Sequence, residues 1–313
     1  MARAASPKIA VLLPCYNEEA AIGATVAGFK AALPGAAIYV YDNNSHDRTR
    51  EVATEAGAVV RTEKQQGKGN VGRRMFADID ADVYVMADGD LTYDPAAAPA
   101  MVDMLLADQL DMVVGTRRHD EKSAYRGGHV LGNRIFTGLL AGLFGRSFSD
   151  IFSGYRVFSR RFVKSFPVLS AGFEIETEMS VHALELRMPV GEVETVYAAR
   201  PEGSQSKLST YGDGWRILKT IFNLYRVERP VLFYGAIGEL LLLAAFILAI
   251  PLVRTYLQTG LVPRFPTAIL VTGMVIVAVL CLFAGLILDT VTRGRREVRR
   301  LAYLSLSAPG SGA

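Results

Sequence analysis

The sequence predicts an α/β domain with a mainly parallel, Rossmann-like sheet, followed by a hairpin of two transmembrane helices. Short β-rich runs alternate with helical patterns from residue 8 to about 115. Polar clusters follow three of those runs, and two long apolar stretches fill the last third of the chain. Strands interleaved with helices of this length imply βαβ units with both sheet faces covered.

The elements follow in order. "KIAVLL" is a strand, and a helix from Glu19 to Ala32 puts Ile22, Val26 and Phe29 on one face. "AAIYVYD" is the second strand, with a helix over Thr49–Ala56. "AVVRT" precedes a helix over Gly69–Ile79, and "DVYVMA" one over Pro95–Asp108. "DMVVG" is the fifth strand. In such sheets ligands bind beyond the carboxyl ends of the strands. "PCYNEE", "DNNSHD" and "DGD" therefore share one rim.

Val231–Val253 and Thr267–Leu288 are each long enough to cross a hydrocarbon core, which takes roughly 20 helical residues. The intervening loop carries only Arg254 and Arg264. Arg226 and Arg229 precede the hairpin, and Arg293, Arg295, Arg296, Arg299 and Arg300 follow it. The positive-inside rule then places both termini in the cytoplasm of a cell-membrane protein. The expected domains are a front domain at 1–212, an amphipathic juxtamembrane helix at 213–230, two spans within 231–289 and a basic tail at 290–313. "SAPGSGA" within that tail reads as disordered. Glu239 lies inside the first span, where an acid is costly and a functional candidate. A protomer interface in a homo-oligomer and a shallow, hydrated position both fit it.

Several classes are excluded. A formal net charge of +3 does not argue for nucleic acid. Cys15 and Cys281 make no disulfide framework, and the four histidines lack ligand spacing. No G-x-G-x-x-G follows the first strand and no P-loop occurs.

Asp88-Gly89-Asp90 stands out. An isolated D-G-D is a solvated turn, but this one follows an apolar strand on the shared rim. Paired hard oxygens suit Mg²⁺ or Mn²⁺, which take further ligands from a diphosphate. Gly89 is expected to let backbone approach a ligand.

"LLPCYNEE", "YDNNSHDRT" and "MADGDLTYD" resemble the nucleotide-sugar signatures of family 2 glycosyltransferases with the GT-A fold. With "GTRR", "GNRIFTGLLAGLFG", "DIFSGYRVFSR", "GFEIETEM" and "RPEGSQSKLSTYGDG" the set is similar to polyprenyl-phosphate glycosyltransferases, the group of dolichyl-phosphate mannose synthase and its bacterial relatives. The resemblance implies a UDP- or GDP-sugar donor and an undecaprenyl- or dolichyl-type phosphate acceptor. It implies that Pro14, Tyr16 and Glu18 hold the nucleotide, Asp42 meets base or ribose, and Asp47 supports that loop. Asp88 would lie by the sugar and diphosphate, with Asp90 the metal ligand. Arg117 and Arg134 would meet the acceptor phosphate, and Arg200 and Lys207 the diphosphate. Asn43 and Thr92 depart from the pattern, standing where a second acid and a glutamine ligand are usual.

Glu174, Glu176 and Glu178 would supply a general base if the acceptor were a hydroxyl; pairing with Arg156 or Arg200 is the other reading. A sugar- or lipid-hydroxyl transferase and a nucleotide-sugar-binding scaffold without turnover are the alternatives to phosphate transfer.

Overall fold

The computed structural model describes residues 6–118, 148–172, 174–198 and 225–310, together with Gly138, Gly142, Lys219, Phe222 and Asn223. By compactness the chain divides into residues 1–214 with 298–313, and residues 215–297.

The first unit holds a seven-stranded sheet. β1 (Ile9–Cys15), β2 (Ala37–Asp42), β3 (Val59–Thr62), β4 (Val83–Met86) and β5 (Met112–Arg118) fall where the apolar runs place them. Between them lie α1 (Ile22–Ala32), α2 (Thr49–Glu55), α3 (Lys68–Asp78) and α4 (Ala98–Ala107), the last led in by a 3-10 turn at Pro95–Ala97. Then come β6 (Arg156–Ser159), α5 (Arg160–Ser165), α6 (Ile175–Glu185) and β7 (Val190–Val196). The sequence reading does not include β6 and β7. β6 is short and opens on a buried arginine, and β7 alternates with exposed Glu192 and Glu194. Neither shows an uninterrupted apolar run.

The strand order is β3-β2-β1-β4-β6-β5-β7, and β6 alone runs against its neighbours among these strands. The chain steps outward from β1 to β3, then returns through α3 to lay β4 on the other side of β1. The topological switch point therefore lies between the carboxyl ends of β1 and β4, where doubly wound sheets bind ligands.

Alternate strand residues feed two cores. On one face Val11, Leu13, Val40, Val85 and Val157 are buried with Ile22, Val26 and Phe29 of α1 and with Met101 and Leu105 of α4. On the other, Phe76 of α3 meets Tyr84 and Phe158 edge-on, and Phe158 stacks on Phe162 of α5 at 4.6 Å. Each such apolar side chain contributes roughly 1.5–3 kcal/mol by leaving water. That burial fixes the strand ends on which the site is built.

The C-terminal residues complete this unit. Arg299 Nη1 donates to Glu185 Oε2 at 2.6 Å, and Tyr303 OH donates to Asp111 Oδ2 at 2.8 Å. The Arg161 guanidinium lies 4.7 Å from the Tyr303 ring and also pairs with Asp111. Both contacts fall in the basic segment expected from residue 290 onward. The helix continues to Leu304, and Pro309 is buried. The cause is electrostatic: Asp111 and Glu185 are buried carboxylates, and the tail carries donors that satisfy them.

In the second unit, α7 (Pro230–Thr259) begins at the first expected span and α8 (Phe265–Leu304) at the second, and both outlast them. Both are long and apolar enough to cross a membrane. Their buried positions are small: Gly238 and Ala245 on α7, and Ala278, Gly285 and Thr292 on α8, at seven-residue intervals. A Cβ on Gly238 would lie 3.1 Å from the Ala278 carbonyl oxygen. Small residues let helix backbones approach where lipid supplies no hydrophobic drive. Thr292 Oγ1 donates to Val227 O at 3.0 Å, and Arg296 Nη2 to Glu228 Oε2 at 2.6 Å. Glu239 is exposed on α7. Of the expected juxtamembrane helix at 213–230, Lys219, Phe222, Asn223 and residues 225–228 are helical, Arg229 is not, and Pro230 opens α7; the other residues lie outside the described ones.

Candidate active site

The loops after β1 and β2 are stitched together by side chains. The Asn17 amide N–H donates to Ser45 Oγ at 2.8 Å, and His46 N–H to Asn17 Oδ1 at 2.8 Å. Glu18 N–H donates to Thr49 Oγ1 at 2.8 Å, and Glu19 N–H to Asp47 Oδ2 at 3.1 Å. Asn17 accepts a left-handed backbone, φ 52, to make this turn. Asn tolerates that region better than most residues. Pro14 and Tyr16 are half-buried here and Glu18 is buried.

Asp47 is the hub of the second loop. Burial would raise its carboxyl, but hydrogen bonds from Thr49 Oγ1 and from the Glu19 and Thr49 amides outweigh it, so it titrates below its ordinary value. Asp42 is fully buried, and its carboxylate accepts from Ser45 N–H at 3.2 Å beneath the turn.

Asn43, the departure from the acidic pattern, has a different task. Its Nδ2 donates to the Glu63 and Gln65 carbonyls at 2.9 and 2.8 Å, while its Oδ1 accepts from Gly67 N–H at 2.7 Å. A carboxylate could not donate to those carbonyls. The amide straps the segment leading into α3.

At the switch point, β4 delivers Asp88 and Asp90. Thr92 donates to Asp90 Oδ1 through its hydroxyl at 2.6 Å and its amide at 3.2 Å, so Thr92 orients the acid. Leu91 between them has φ 59, an uncommon conformation for such a side chain and one that costs of order 1–3 kcal/mol. Gly89 turns out to serve packing: a Cβ there would strike Cys15 Sγ and Ile22.

Lys68 was not anticipated. Its Nζ lies 2.5 Å from Asp88 Oδ1 and 2.5 Å from Glu176 Oε1. Burial works against the ammonium, but the two carboxylates outweigh it and hold its pKa above the ordinary lysine value. Gly67, Gly69 and Gly72 admit this arrangement, since a Cβ on any of them would strike Ala171, Ser170 or Ile175. The signal was present in "QQGKGN". A lysine in the first turn of a helix opposes the helix dipole and needs a reason to be there.

The opposite wall is residues 150–156. Arg117 grips Asp150 with both arms of its fork, Nε to Oδ2 at 2.7 Å and Nη2 to Oδ1 at 2.8 Å. Burial would raise the Asp150 carboxyl; Arg117 holds it below its ordinary value. The guanidinium expected at the acceptor phosphate is oriented by its pairing with Asp150. Arg156, fully buried, donates to the Ile151 and Ser153 carbonyls and to Ser180 Oγ, and burial pulls its pKa down to about 10. Gly154 donates its N–H to Tyr93 OH at 2.8 Å, and a Cβ on it would lie 2.9 Å from Asp88 Oδ2.

The three glutamates separate. Glu176 pairs with Lys68 rather than with Arg156. Glu178 accepts from the Leu169 and Ser170 amides and from Ser170 Oγ. Glu174 stands at the residue before α6, beside Gly172, and makes no side-chain capping hydrogen bond. Arg134, Arg200 and Lys207 lie outside the described residues.

Asp88 and Asp90 fit a hard divalent cation by donor type. Among the described residues no group of three or more His, Cys, Asp or Glu is gathered to hold one alone. That suits Mg²⁺ or Mn²⁺, which complete their shells with phosphate oxygens and water.

The family model described as glycosyl transferase family 2 matches residues 10–166. The chain is 34% identical over 232 residues to Glycosyltransferase AglJ of Haloferax volcanii, covering 74% of this chain and 76% of that protein. It is 28% identical over 221 residues to the dolichyl-phosphate hexose transferase of the same organism, covering 71% and 95%. The crystal structure of glucosyl-3-phosphoglycerate synthase from Mycobacterium tuberculosis with Mn²⁺, UDP and glucosyl-3-phosphoglycerate aligns with a TM-score of 0.58 at 24% identity. It covers 71% of this chain and 80% of that chain. At that identity the likeness speaks for the fold, which is GT-A.

Proposed function

The chain belongs to glycosyl transferase family 2, and we propose that it moves a sugar from a UDP- or GDP-sugar to a polyprenyl phosphate at the cytoplasmic face of a cell membrane. The observation that carries this is the meeting of Asp88, Asp90 and Lys68 at the β1–β4 switch point, in a chain that also has two membrane-length helices. The name of the dolichyl-phosphate hexose transferase supports the acceptor class, and the Mn²⁺ and UDP of the mycobacterial synthase support the donor and metal.

A divalent cation held by Asp88 and Asp90 would offset charge on the leaving diphosphate. The remaining work belongs to side chains. The stitched loops around Pro14, Tyr16, Glu18, Asp42 and Asp47 would seat the nucleotide. Arg134 would meet the acceptor phosphate, and Arg200 and Lys207 the diphosphate. Arg117 acts one step back, by fixing the 150–156 wall through Asp150. A phosphate monoester loses its second proton near pH 6, so the acceptor is itself an anionic nucleophile and needs no general base. Direct attack inverts the anomeric centre.

The test compares transfer to polyprenyl phosphate with transfer to the free polyprenol, across a panel of UDP- and GDP-sugars. Product from the phosphate alone is expected. Equal transfer to the alcohol, with a loss of about 10²–10⁴-fold in Glu174→Gln, would instead identify a hydroxyl acceptor and a carboxylate base. No turnover of any donor would leave a binding scaffold. Cysteine labelling at Thr259 checks the topology, with reaction expected only from the side away from the cytoplasm.

A further inference from the structure

Lys68 sits where two unlike partners compete for it. Its ammonium bridges Asp88 and Glu176 at equal distances of 2.5 Å, and its side chain is 10% exposed. The two acids differ in access. The Asp88 side chain is 30% exposed, whereas that of Glu176 is 6% exposed in the first turn of α6. Gly154 presses on both Asp88 and Lys68: a Cβ there would lie 2.9 Å from Asp88 Oδ2 and 3.2 Å from Lys68 Nζ. The ammonium therefore has little room to leave toward that wall, and one alternative carboxylate already in contact.

Resting on the reading of Asp88 and Asp90 as metal ligands, we propose that Lys68 is a built-in counter-cation for Asp88 that is handed to Glu176 when a divalent metal ion arrives. In the metal-free site the ammonium neutralises Asp88, which stands two residues from a second acid, Asp90, in the chain. A metal ion at Asp88 must displace that ammonium. Glu176 gives it a place to go that leaves no buried charge unpaired, which is the costly alternative. Glu176 is thus a positioning residue acting through Lys68, with no contact to the sugar required. The site exchanges one cation for another and avoids exposing a bare pair of acids.

The test is Mn²⁺ binding to the full-length protein in detergent, measured by the electron paramagnetic resonance of free Mn²⁺ with no donor present. Four proteins form a cycle: wild type, Glu176→Gln, Lys68→Met and the double variant, with Asp90→Ala as control. The double variant removes both members of the buried pair and leaves without a counter-cation only Asp88, whose side chain is partly exposed. Glu176→Gln is expected to weaken Mn²⁺ about tenfold when Lys68 is present and less than about twofold when it is Met, because coupling between residues in contact appears as non-additivity. Equal weakening in both backgrounds would mean that Glu176 acts only as a nearby negative charge, and the handover would be overturned while the metal site stood. Wild-type binding that Asp90→Ala leaves unchanged, or no binding at all, would overturn the metal reading and the handover together.

Discussion

The two halves of the rim are held by different forces. Around β1 and β2, hydroxyls, amides and a carboxylate bind backbone: Ser45, Thr49, Asn17, Asn43 and Asp47 each close a specific turn. Around β4 and α6, ion pairs join such bonds, with Lys68 between Asp88 and Glu176 and Arg117 on Asp150. Hydrogen bonds to backbone fix a shape and are costly to leave unmade. Ion pairs at a partly open site exchange partners with an incoming charged ligand. On the function proposed above, the first half would be ready before a donor binds and the second would rearrange around it.

Four changes probe that division, beginning with the largest effect. Asp90→Asn should cut metal-dependent transfer by roughly a thousandfold, the scale of losing several kcal/mol of charge stabilisation. Circular dichroism should be unchanged, and full activity of this variant in EDTA would break the ionic half of the comparison. Gly154→Ala comes next, since its methyl would press on Asp88 and Lys68. Roughly a tenfold to hundredfold loss in kcat is expected from misplacing a charged group by a fraction of an ångström to an ångström. Steady-state kinetics against an unchanged Tm would place that loss in the site.

Asn43→Asp belongs to the other half. It removes two part-buried hydrogen bonds, to the Glu63 and Gln65 carbonyls, and should lower stability by about 1–3 kcal/mol, seen as a lower Tm. A larger effect on Mn²⁺ binding than on Tm would show that the halves are not separable. Asp47→Asn is the mildest. The folded-state carboxyl titrates below its ordinary 3.8, so its contribution is whole above that value and drains away as pH falls through the lower folded-state value. Acid unfolding followed by circular dichroism should show a shallower pH dependence below 3.8 in the variant.

The same division marks what the sequence made legible. Apolar runs identified β1 to β5 and the two long helices, because burial imposes periodicity that any reader of the chain can see. Placing Asp88 and Asp90 at a strand end followed directly. The first-turn place of Lys68 was a local signal, but its partners are 20 and 108 residues away, so the pairing itself could not be read from the chain. Asn43 looked like a lost acid because its donors matter only once residues 63–67 lie beside it. The Arg117–Asp150 pair could not be read because Asp150 comes 33 residues later, in the segment between β5 and β6. The short β6 and the half-exposed β7 lacked the burial that writes a strand into composition.

The contacts of Arg299 and Tyr303 also bear on the order of manufacture. The ribosome releases β1 to β7 first, and domains generally begin to fold as they emerge. Glu185 and Asp111, however, gain these partners only after both membrane helices and the residues beyond them have been made. Until then the front domain holds two buried acids that lack part of their final company. A shortened protein ending at residue 214 would inherit that condition permanently. Supplying the 298–310 segment as a separate peptide should raise its Tm, whereas a peptide with Arg299 and Tyr303 both replaced by alanine should not.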